Sequence, residues 1–317
     1  MMDRFQGSSH TETKVSVLAQ YLQSYTTALR DKGFALVYID AFAGTGRFAI
    51  DVGQGGMFAE VVDEEGVVSR PGSARIAIMT RPAFDVIVLI EKEKKSVVAL
   101  EALRNECGSE CVKVISGEAN ATVLKLCKGV PWQVGRNLPR GMRAVMFLDP
   151  FGVNVDWSTI VEIGKTGAID LWFLLNVEGI GRLLARDFER ISASSRARLD
   201  RLFGGDWWRV EFYTRRDSQA RLDGSIDSRT TRETPPEHIE QAYIERMKAH
   251  FGYVHPTGLR LYKGSRHSFT LLFAVANRSE KAKAAAKSMA TWIIDNAGRT
   301  KRRGKKHAVV PGQMEML

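Results

Sequence analysis

The sequence has few cysteines and no long apolar run, and each shortage excludes a class of protein. Three cysteines occur among 317 residues, Cys107, Cys111 and Cys127, and their spacing is too irregular for a zinc site. We expect reduced, structural thiols and a cytoplasmic protein. No stretch of about 18 uncharged apolar residues occurs, and residues 1–10 have no apolar stretch after a basic one. Neither a membrane span nor secretion is expected.

The six histidines are too dispersed to complete a metal site or a catalytic triad. None of them falls in a paired metal-ligand arrangement or beside a nucleophile. We therefore expect each to lie at the surface or in the core, and we expect no metal site. They are His10, His238, His250, His255, His267 and His307.

The apolar and charged fractions are those of a protein that buries a core. Apolar residues make up 44% of the chain and charged residues 26%, which excludes a disordered, collagen-like or disulfide-stapled class. A chain of this length fits one large α/β domain with an insertion as well as it fits two domains.

The chain carries an excess of positive charge. Lysine and arginine number 46 against 36 aspartates and glutamates, a formal net charge of +10. This excess favours an anionic partner, RNA or DNA, because clustered cations bind phosphates. The alternative is a solvated basic face without a partner. One cluster is a helical middle segment with Arg182, Arg186, Arg190, Arg196, Arg198 and Arg201, and the other is a tail with Arg299, Lys301, Arg302, Arg303, Lys305 and Lys306.

Short apolar runs alternate with amphipathic segments between residues 13 and 175. The runs are too short for buried helices and suit strands that are covered on both faces of a sheet. Repeated alternation of strand and helix predicts an α/β fold with a doubly wound, mostly parallel, Rossmann-like sheet. The predicted strands span 34–39, 84–90, 112–115, 144–148 and 169–175, and the predicted helices span 13–31, 73–80, 92–106, 121–128 and 157–165.

Two segments depart from this alternation. Residues 47–70 contain four glycines and two short apolar stretches, which predicts a hairpin inserted before the second helix. Residues 179–252 are basic and mostly helical in pattern, which predicts an insertion before the last two strands, 259–262 and 269–276, and a final helix, 279–297. The predicted units are a core, 1–178, a basic helical insertion, 179–252, the last strands and helix of the core, 253–298, and a basic tail, 299–317.

The first predicted strand ends in the turn D-A-F-A-G-T-G, from Asp40 to Gly46. Glycines at a strand end let the backbone approach a ligand, and this position of an open parallel sheet binds nucleotide-like cofactors. The turn lacks the G-x-x-x-x-G-K-S/T pattern of a triphosphate site. Glu91 ends the second strand, where a carboxylate accepts hydrogen bonds from ribose hydroxyls, and Glu118 and Asn120 follow the third. Polar groups thus converge on one crevice, although the turn alone is equally typical of a structural role.

The fourth predicted strand ends in D-P-F-G, from Asp149 to Gly152. Asp149 and the carbonyl group of Pro150 are suited to hold an exocyclic amine, and Phe151 is suited to stack on its base. Such a pair would orient the lone pair of the amine for attack on a methyl group. The alternative is a helix N-cap followed by a turn, with Phe151 in the core.

The order of these motifs resembles a known family. Lys14, V-Y-I-D-A-F-A-G-T-G-R-F at 37–48, P-G-S at 71–73 and F-L-D-P-F-G at 147–152 together resemble the three-Cys-motif partner protein (TcmP) family. That family is similar to class I S-adenosylmethionine-dependent methyltransferases, including the ribosomal-RNA adenine-N6 methyltransferases. The resemblance covers the segment from Thr13 to Leu175 and, more loosely, the two late strands.

The resemblance implies a methyltransferase core that binds S-adenosylmethionine. Lys14 would neutralise the methionine carboxylate, Ser73 would cap the helix beside the glycine turn, and Glu91 would hold the ribose. The turn would cradle the methionine part, and the residues after the third strand would lie near the adenine. The implied cofactor-binding residues are Lys14, Asp40, Phe42, Gly44, Thr45, Gly46, Ser73, Glu91, Glu118 and Asn120, and the implied catalytic residues are Asp149, Pro150 and Phe151.

Two departures from the family patterns bear on the substrate. Adenine-N6 enzymes have two prolines before the aromatic residue, whereas this chain has only Pro150, and D-P-F-G is more similar to the tRNA guanine-N2 dimethyltransferases. The target is therefore an exocyclic amine of adenine or of guanine. Ala74 stands where the G-S-P triplet of the family has its proline.

Three functions compete. The leading hypothesis is an S-adenosylmethionine-dependent methyltransferase that modifies a base in RNA or DNA. The second is a non-catalytic partner that keeps the fold and binds a separately encoded three-Cys-motif protein, as the family name implies. A dinucleotide oxidoreductase is a weaker third, because the turn lacks G-x-G-x-x-G and no hydride-relay group stands out.

Overall fold

A computed structural model describes residues 6–7, 9–50, 61–62, 68–108, 110–132, 140–217, 228–232 and 234–304. The side chains of the predicted basic tail, 299–317, lie outside this description, and the predicted hairpin at 47–70 is described only in part. Within the described residues, no helix combines the length and the apolar character that crossing a membrane requires.

The described residues form fourteen strands and ten α-helices. The strands are β1 (Gln6–Gly7), β2 (Ala35–Asp40), β3 (Arg47–Ile50), β4 (Val61–Val62), β5 (Val68–Pro71), β6 (Val86–Glu91), β7 (Val112–Ser116), β8 (Met142–Leu148), β9 (Ile169–Leu175), β10 (Thr214–Asp217), β11 (Ser228–Thr231), β12 (Tyr253–Val254), β13 (Leu259–Lys263) and β14 (Arg266–Val275). The helices are α1 (Ser9–Leu29), α2 (Ser73–Met79), α3 (Lys94–Glu106), α4 (Ala119–Gly129), α5 (Trp157–Lys165), α6 (Val177–Leu183), α7 (Ala193–Phe203), α8 (Trp208–Phe212), α9 (Pro236–Lys248) and α10 (Glu280–Gly304).

Eight of the described strands form one mixed sheet. Its order is β12 and β13 at one edge, then β14, β9, β8, β2, β6 and β7. The five strands from β9 to β7 are parallel, whereas β14 runs antiparallel to β9. The predicted doubly wound, mostly parallel sheet is therefore confirmed. Three strands rather than the predicted two follow the insertion, because β12 and β13 pair with successive parts of β14.

Most predicted elements are present, with differences at their ends. α5 and β9 have the predicted bounds, and β9 is buried along its whole length, as its apolar run predicts. The strand predicted at 84–90 spans 86–91 instead. Phe84 lies outside the strand, although its ring is buried beside Tyr25 and Tyr38 in the core.

Alternate side chains of the central strands enter two cores on opposite faces of the sheet. In β2, Val37 and Ile39 belong to one core, and Leu36 and Tyr38 belong to the other. The first core lies under α4, α5 and α6 to α9, and the second lies under α1, α2, α3 and α10. Burial of one valine, leucine or isoleucine side chain stabilises a fold by about 1.5–3 kcal/mol. Burial on both faces explains why the strands appear as continuous apolar runs.

The two predicted departures from the α/β alternation are present in altered form. At 47–70, β5 pairs antiparallel with both β3 and β4, and β1 joins β3. The segment 179–252 is not wholly helical, because β10 and β11 form an antiparallel hairpin within it. The pair Thr230 and Thr231 explains this in part, since β-branched residues favour strands. α6 begins two residues after β9, so this segment leaves the sheet at the carboxyl ends of the parallel strands.

A buried acid lies at the opposite end of the sheet, near the start of β9. The hydroxyl group of Tyr21 on α1 donates to Oδ2 of Asp170 at 2.6 Å. Burial raises the pKa of Asp170 to about 7, while the bond from Tyr21 and the charge of Arg143 oppose the rise. Burial also raises the pKa of Tyr21, and the charge of Asp170 adds to that effect. The hydrogen bond attaches α1 to the sheet, and burial keeps Asp170 protonated up to about pH 7.

We predict that Asp170→Asn removes a pH dependence of stability. The folded state holds the proton of Asp170 up to about pH 7 and the unfolded chain only to about pH 4, so the free energy of unfolding falls as pH rises through that window. The slope reaches at most about 1.4 kcal/mol per pH unit. Urea unfolding at several pH values should show the variant gaining on the wild type as pH rises. Tyr21→Phe keeps the buried carboxyl group and should keep the trend; a pH-independent difference for Asp170→Asn would contradict the prediction.

Candidate active site

The carboxyl ends of β2 and β8 lie side by side where the strand order of the sheet reverses. β2 pairs with β6 on one side and with β8 on the other. Asp40 is in register with Phe147, and the backbone N–H of Ala41 donates to the carbonyl group of Phe147 at 3.1 Å. In open α/β sheets, ligands bind in the crevice at such a switch point. The two strand ends bring Asp40 and Asp149 close to each other at this edge of the sheet.

Asp40 is a fully buried carboxylate that holds the glycine turn in place. Its Oδ1 accepts from the backbone N–H of Phe42 at 3.2 Å, and its Oδ2 accepts from the hydroxyl group of Tyr38 at 3.2 Å. Burial raises the pKa of Asp40 to about 6 and the charge of Asp149 adds to the rise, while bonds from Ser73, Phe42 and Tyr38 oppose it. Asp40 thus contacts the turn and α2 rather than the outer surface of the crevice.

Lys14 and Asp149 form a partly buried ion pair. Lys14 donates to Oδ2 of Asp149, and the two side chains are 16% and 24% exposed. The contact joins α1 to the loop after β8. The alternative of a surface lysine is therefore wrong, and so is the alternative of Asp149 as a helix N-cap, because Asp156 is the N-cap of α5.

The turn after β2 presents its backbone to open space. Gly44 has φ 56°, in the left-handed region that favours glycine, and a side chain added there would meet no described atom within 4 Å. Thr45 is exposed, with its hydroxyl group donating to the carbonyl group of Arg47 at 3.1 Å, and Phe42 is half-buried against the core. The turn is thus held by its own contacts while Gly44 leaves room for a ligand to approach.

The P-G-S motif packs directly against this turn. The backbone N–H of Gly72 donates to the carbonyl group of Gly46 at 2.9 Å, and a Cβ at Gly72 would lie 2.9 Å from that carbonyl group, so only glycine fits. The prediction that Ser73 caps α2 is wrong, because Gly72 is the N-cap. Ser73 is the first residue of the helix, and its hydroxyl group is close enough to Asp40 to lower the pKa of that carboxyl group.

Glu91 binds the same turn from the end of β6. Its Oε2 accepts from the backbone N–H of Gly44 at 3.0 Å. Its Oε1 accepts from the backbone N–H groups of Lys92 at 2.7 Å and Glu93 at 3.0 Å. The structure thus brings Glu91 and Gly44 together, as the strand-end pattern predicts.

Glu118 and Asn120 have local structural roles at the start of α4. Glu118 is the N-cap, and its Oε2 accepts from the backbone N–H of Ala121 at 2.8 Å, a bond that helps to lower its pKa against the effect of burial. Asn120 donates to Glu118 Oε1 at 3.0 Å and to the carbonyl group of Asn154 at 2.9 Å. Its Oδ1 accepts from the backbone N–H of Asp156 and from Thr159 Oγ1. These four bonds use the full capacity of the amide, so any contact of Asn120 with adenine stays a prediction.

The D-P-F-G segment divides between core and surface. Pro150 is buried, whereas Phe151 is 76% exposed, so the alternative that places Phe151 in the core is wrong. Asn154 Nδ2 donates to the carbonyl group of Phe151 at 2.5 Å, and Gly152 turns the chain with φ 74°. The segment therefore presents an exposed aromatic ring two residues after Asp149.

The basic segment 179–252 reaches this loop through α7. Arg201 lies 3.7 Å from Asp156, which follows the D-P-F-G segment and begins α5. Gly204, which ends α7, packs on the ring of Trp157 so closely that a Cβ would lie 2.1 Å from it. α7 is thus fixed beside the loop that carries Phe151.

Several contacts at this edge have no signal in the sequence. The bonds from Asn120 to Asn154 and Asp156 join segments more than 30 residues apart, and the ion pair of Lys14 spans 135 residues. No local pattern predicts which strand-end groups meet. Only Asp156, directly before the apolar α5 segment, matches a helix-start pattern that the sequence makes visible.

Solved structures with low sequence identity align with most of the chain. Protein LPL1258 of Legionella pneumophila is 12% identical, with 84% of this chain and 98% of that one covered and a TM-score of 0.41. An S-adenosylmethionine-dependent methyltransferase of Clostridium acetobutylicum is 9% identical, with coverage of 81% and 91% and a TM-score of 0.36. An rRNA methylase of Streptococcus thermophilus is 11% identical, with coverage of 70% and 95% and a TM-score of 0.28.

No protein-family model matches the chain, and no curated protein matches it. The three TM-scores lie below 0.5, so the fold assignment rests on the strand order and directions of the sheet itself.

We predict that Asn120→Ala destabilises the fold through the lost link between α4 and the loop before α5. The substitution leaves the backbone N–H of Asp156 and the buried hydroxyl group of Thr159 without their acceptor, which should lower the free energy of unfolding by about 1–3 kcal/mol. Denaturant unfolding measures the change. The exposed Asn105→Ala is the matched control and should change stability by less than about 0.5 kcal/mol. Equal effects of the two variants would show that the link is not stabilising.

Proposed function

We propose that this chain is an S-adenosylmethionine-dependent methyltransferase that acts on an exocyclic amine of a base in RNA or DNA. The observation that carries the proposal is the position of Asp149, bound by Lys14, at the strand end beside the glycine turn. A site for the cofactor and an acceptor for the amine thereby share one crevice. The direction of β14 also disfavours the oxidoreductase alternative, because the second half of a dinucleotide-binding sheet is a parallel βαβαβ unit.

The residues at this edge fit S-adenosylmethionine. The carboxylate of Glu91 suits ribose hydroxyls, the ammonium group of Lys14 suits the carboxylate of the methionine part, and the open space at Gly44 allows close approach of the backbone. When bound, this cofactor supplies an electrophilic methyl group on a sulfonium.

Lys14 can serve two anions at once. An ammonium group has three N–H donors, and Asp149 Oδ2 accepts one of them. The remaining donors can bind the cofactor carboxylate while the ion pair stays in place. Lys14 therefore orients Asp149 as well as contributing to cofactor affinity.

Asp149 and Pro150 are the acceptors for the target amine. Because Lys14 contacts Oδ2, Oδ1 is the atom of Asp149 that accepts from the amine. Pro150 has a fixed φ and is buried, which restricts the movement of the turn that carries its carbonyl group. Two acceptors in fixed positions orient the amine so that its lone pair faces the transferred methyl group, and orientation is the main requirement when the nucleophile is a neutral amine.

Charge and shape favour a nucleic-acid substrate. The chain has a net charge of +10, Phe151 is 76% exposed beside Asp149, and Arg201 on α7 lies near the same loop. A base flipped out of a duplex, or already single-stranded, could stack on Phe151 while nearby cations bind its phosphates. The basic tail, 299–317, is part of this proposal on sequence grounds alone.

We predict that Gly44→Val abolishes S-adenosylmethionine binding while the fold persists. The valine side chain would fill the open space in which the ligand is expected to approach the backbone of Gly44. A valine in the left-handed backbone conformation also adds strain on the order of 1–3 kcal/mol. Isothermal titration calorimetry measures the binding. Gly108→Val is the matched control, because Gly108 also has φ 56° and open surroundings but follows α3 at the far edge of the sheet. The control should lose similar stability and still bind; binding by both variants would place the site elsewhere.

We predict that Asp149→Ala removes methyl transfer but leaves most cofactor affinity. The carboxylate acts on the amine in the transition state, so its loss should lower kcat by about 100-fold or more. Transfer of a radiolabelled methyl group to bulk RNA or DNA measures the rate. Asp149→Asn keeps an Oδ1 acceptor and should recover part of the activity. Full activity in Asp149→Ala would contradict amine methylation at this site, and absence of any cofactor binding in the wild type would favour the non-catalytic alternative.

A further inference from the structure

A carboxylate at the end of β9 binds two arginines that come from distant parts of the chain. Oε1 of Glu178 accepts from Arg182 at 2.6 Å and from Arg266 at 3.1 Å. Glu178 is only 14% exposed, while the arginine side chains are 73% and 74% exposed. Because both arginines bind one oxygen, their guanidinium groups are neighbours.

The position of this cluster is set by the direction of β14. Arg266 begins β14, which runs antiparallel to β9, so Arg266 lies at the carboxyl end of the parallel strands. Glu178 and Arg182 are on α6, which starts two residues after β9 ends. β9 is the neighbour of β8, and Asp149 directly follows β8. The two arginines therefore lie on the same edge of the sheet as the candidate active site.

The cluster is built to present positive charge to solvent. Two guanidinium groups and one carboxylate leave a net charge of +1. Each guanidinium has five N–H donors, of which the bonds above use one, and both side chains are largely exposed to solvent. Phosphate oxygens accept from such forks in bidentate geometry, and arginines already held in place lose less side-chain entropy on binding.

Glu178 keeps its charge at physiological pH. Hydrogen bonds from Arg182, Ser268 and Arg266 lower its pKa to about 2 despite the opposing effect of burial. The carboxylate is therefore a permanent support for both arginines. An ordinary surface ion pair would need only one arginine and would be worth little to stability, which leaves the second arginine unexplained by a purely structural role.

We propose that Arg182 and Arg266 form an anchor for a phosphodiester group of the nucleic-acid substrate, with Glu178 as the residue that positions them. The proposal rests on the proposed function, because it assigns the backbone contact of the same substrate whose base reaches Asp149. Lys263, exposed at the neighbouring hairpin of β13 and β14, adds to the positive charge of this surface. The anchor recognises phosphate and not base identity, so it supplies affinity and orientation rather than sequence preference.

The test is RNA binding by Arg182→Gln and Arg266→Gln in the full chain. Fluorescence anisotropy with a labelled single-stranded RNA of about 15 nucleotides, measured between about 50 and 200 mM salt, gives affinity and its salt slope. Each variant should bind about fivefold more weakly at 0.1 M salt, with the slope of log K against log salt reduced by about 0.7. Lys165→Gln is the matched control: it also removes one exposed cation in an ion pair, but at the end of α5 away from this edge, and it should bind like the wild type.

Glu178→Gln separates positioning from plain charge. The substitution raises the net charge by one, so simple attraction would strengthen RNA binding, whereas loss of the support for both arginines should weaken it. Weaker binding supports the anchor, and stronger binding overturns the positioning role of Glu178. If both arginine variants bind RNA as tightly as the wild-type protein does, the anchor is overturned. It is also overturned if the wild-type protein binds poly-glutamate but does not bind RNA.

S-adenosylmethionine titration of the same preparations distinguishes failure of this proposal from failure of the proposed function. Arg182, Arg266 and Glu178 are not among the residues proposed to bind the cofactor, so all variants should bind it with wild-type affinity. If the variants bind the cofactor and their RNA binding is unchanged, the phosphate anchor is ruled out while the proposed methyltransferase function stands. No cofactor binding by the wild type would remove the methyltransferase itself.

Discussion

The contact between Lys14 and Asp149 joins a residue expected to bind the cofactor to the residue expected to bind the target amine. Parallel pairing of β2 with β8 places two carboxylates, Asp40 and Asp149, at adjacent strand ends, and Asp40 is fully buried. Burial and the charge of Asp149 raise the pKa of Asp40, and Asp149 is itself paired with Lys14 on α1. Lys14 thereby attaches α1 to the loop that carries Phe151, while Asp40 binds the glycine turn through the backbone N–H of Phe42.

The sequence predicts the sheet well wherever a strand is buried on both faces. β9 and α5 have the predicted bounds because an unbroken apolar run and a helical repeat leave little choice. Prediction fails where tertiary contacts decide. Phe84 is apolar and adjoins a strand, yet it lies outside the strand. Ser73 has the right residue type for a helix cap, yet Gly72 is the N-cap of α2.

Some residues of the candidate site could be predicted from the sequence, and the roles of others depend on tertiary contacts. Gly44, Glu91 and Asp149 could be predicted because the ends of parallel strands meet at one edge of a sheet. Asn120 has a residue type suited to binding adenine, but its four hydrogen bonds make it a link between α4 and the next loop. The arginines around Glu178 could not be predicted, since Arg266 reaches this edge only through the antiparallel direction of β14.

A crystal structure of the chain with S-adenosylhomocysteine would test the central claim most directly, because it locates the ligand without relying on a substrate. The account predicts ligand density over Gly44 and Glu91 at the carboxyl ends of β2, β6 and β8, with its carboxylate on Lys14 and Asp149 close to the sulfur. Ligand density at another edge of the sheet would contradict it. A crystal grown with excess ligand in which this crevice is accessible and contains only water would contradict it equally.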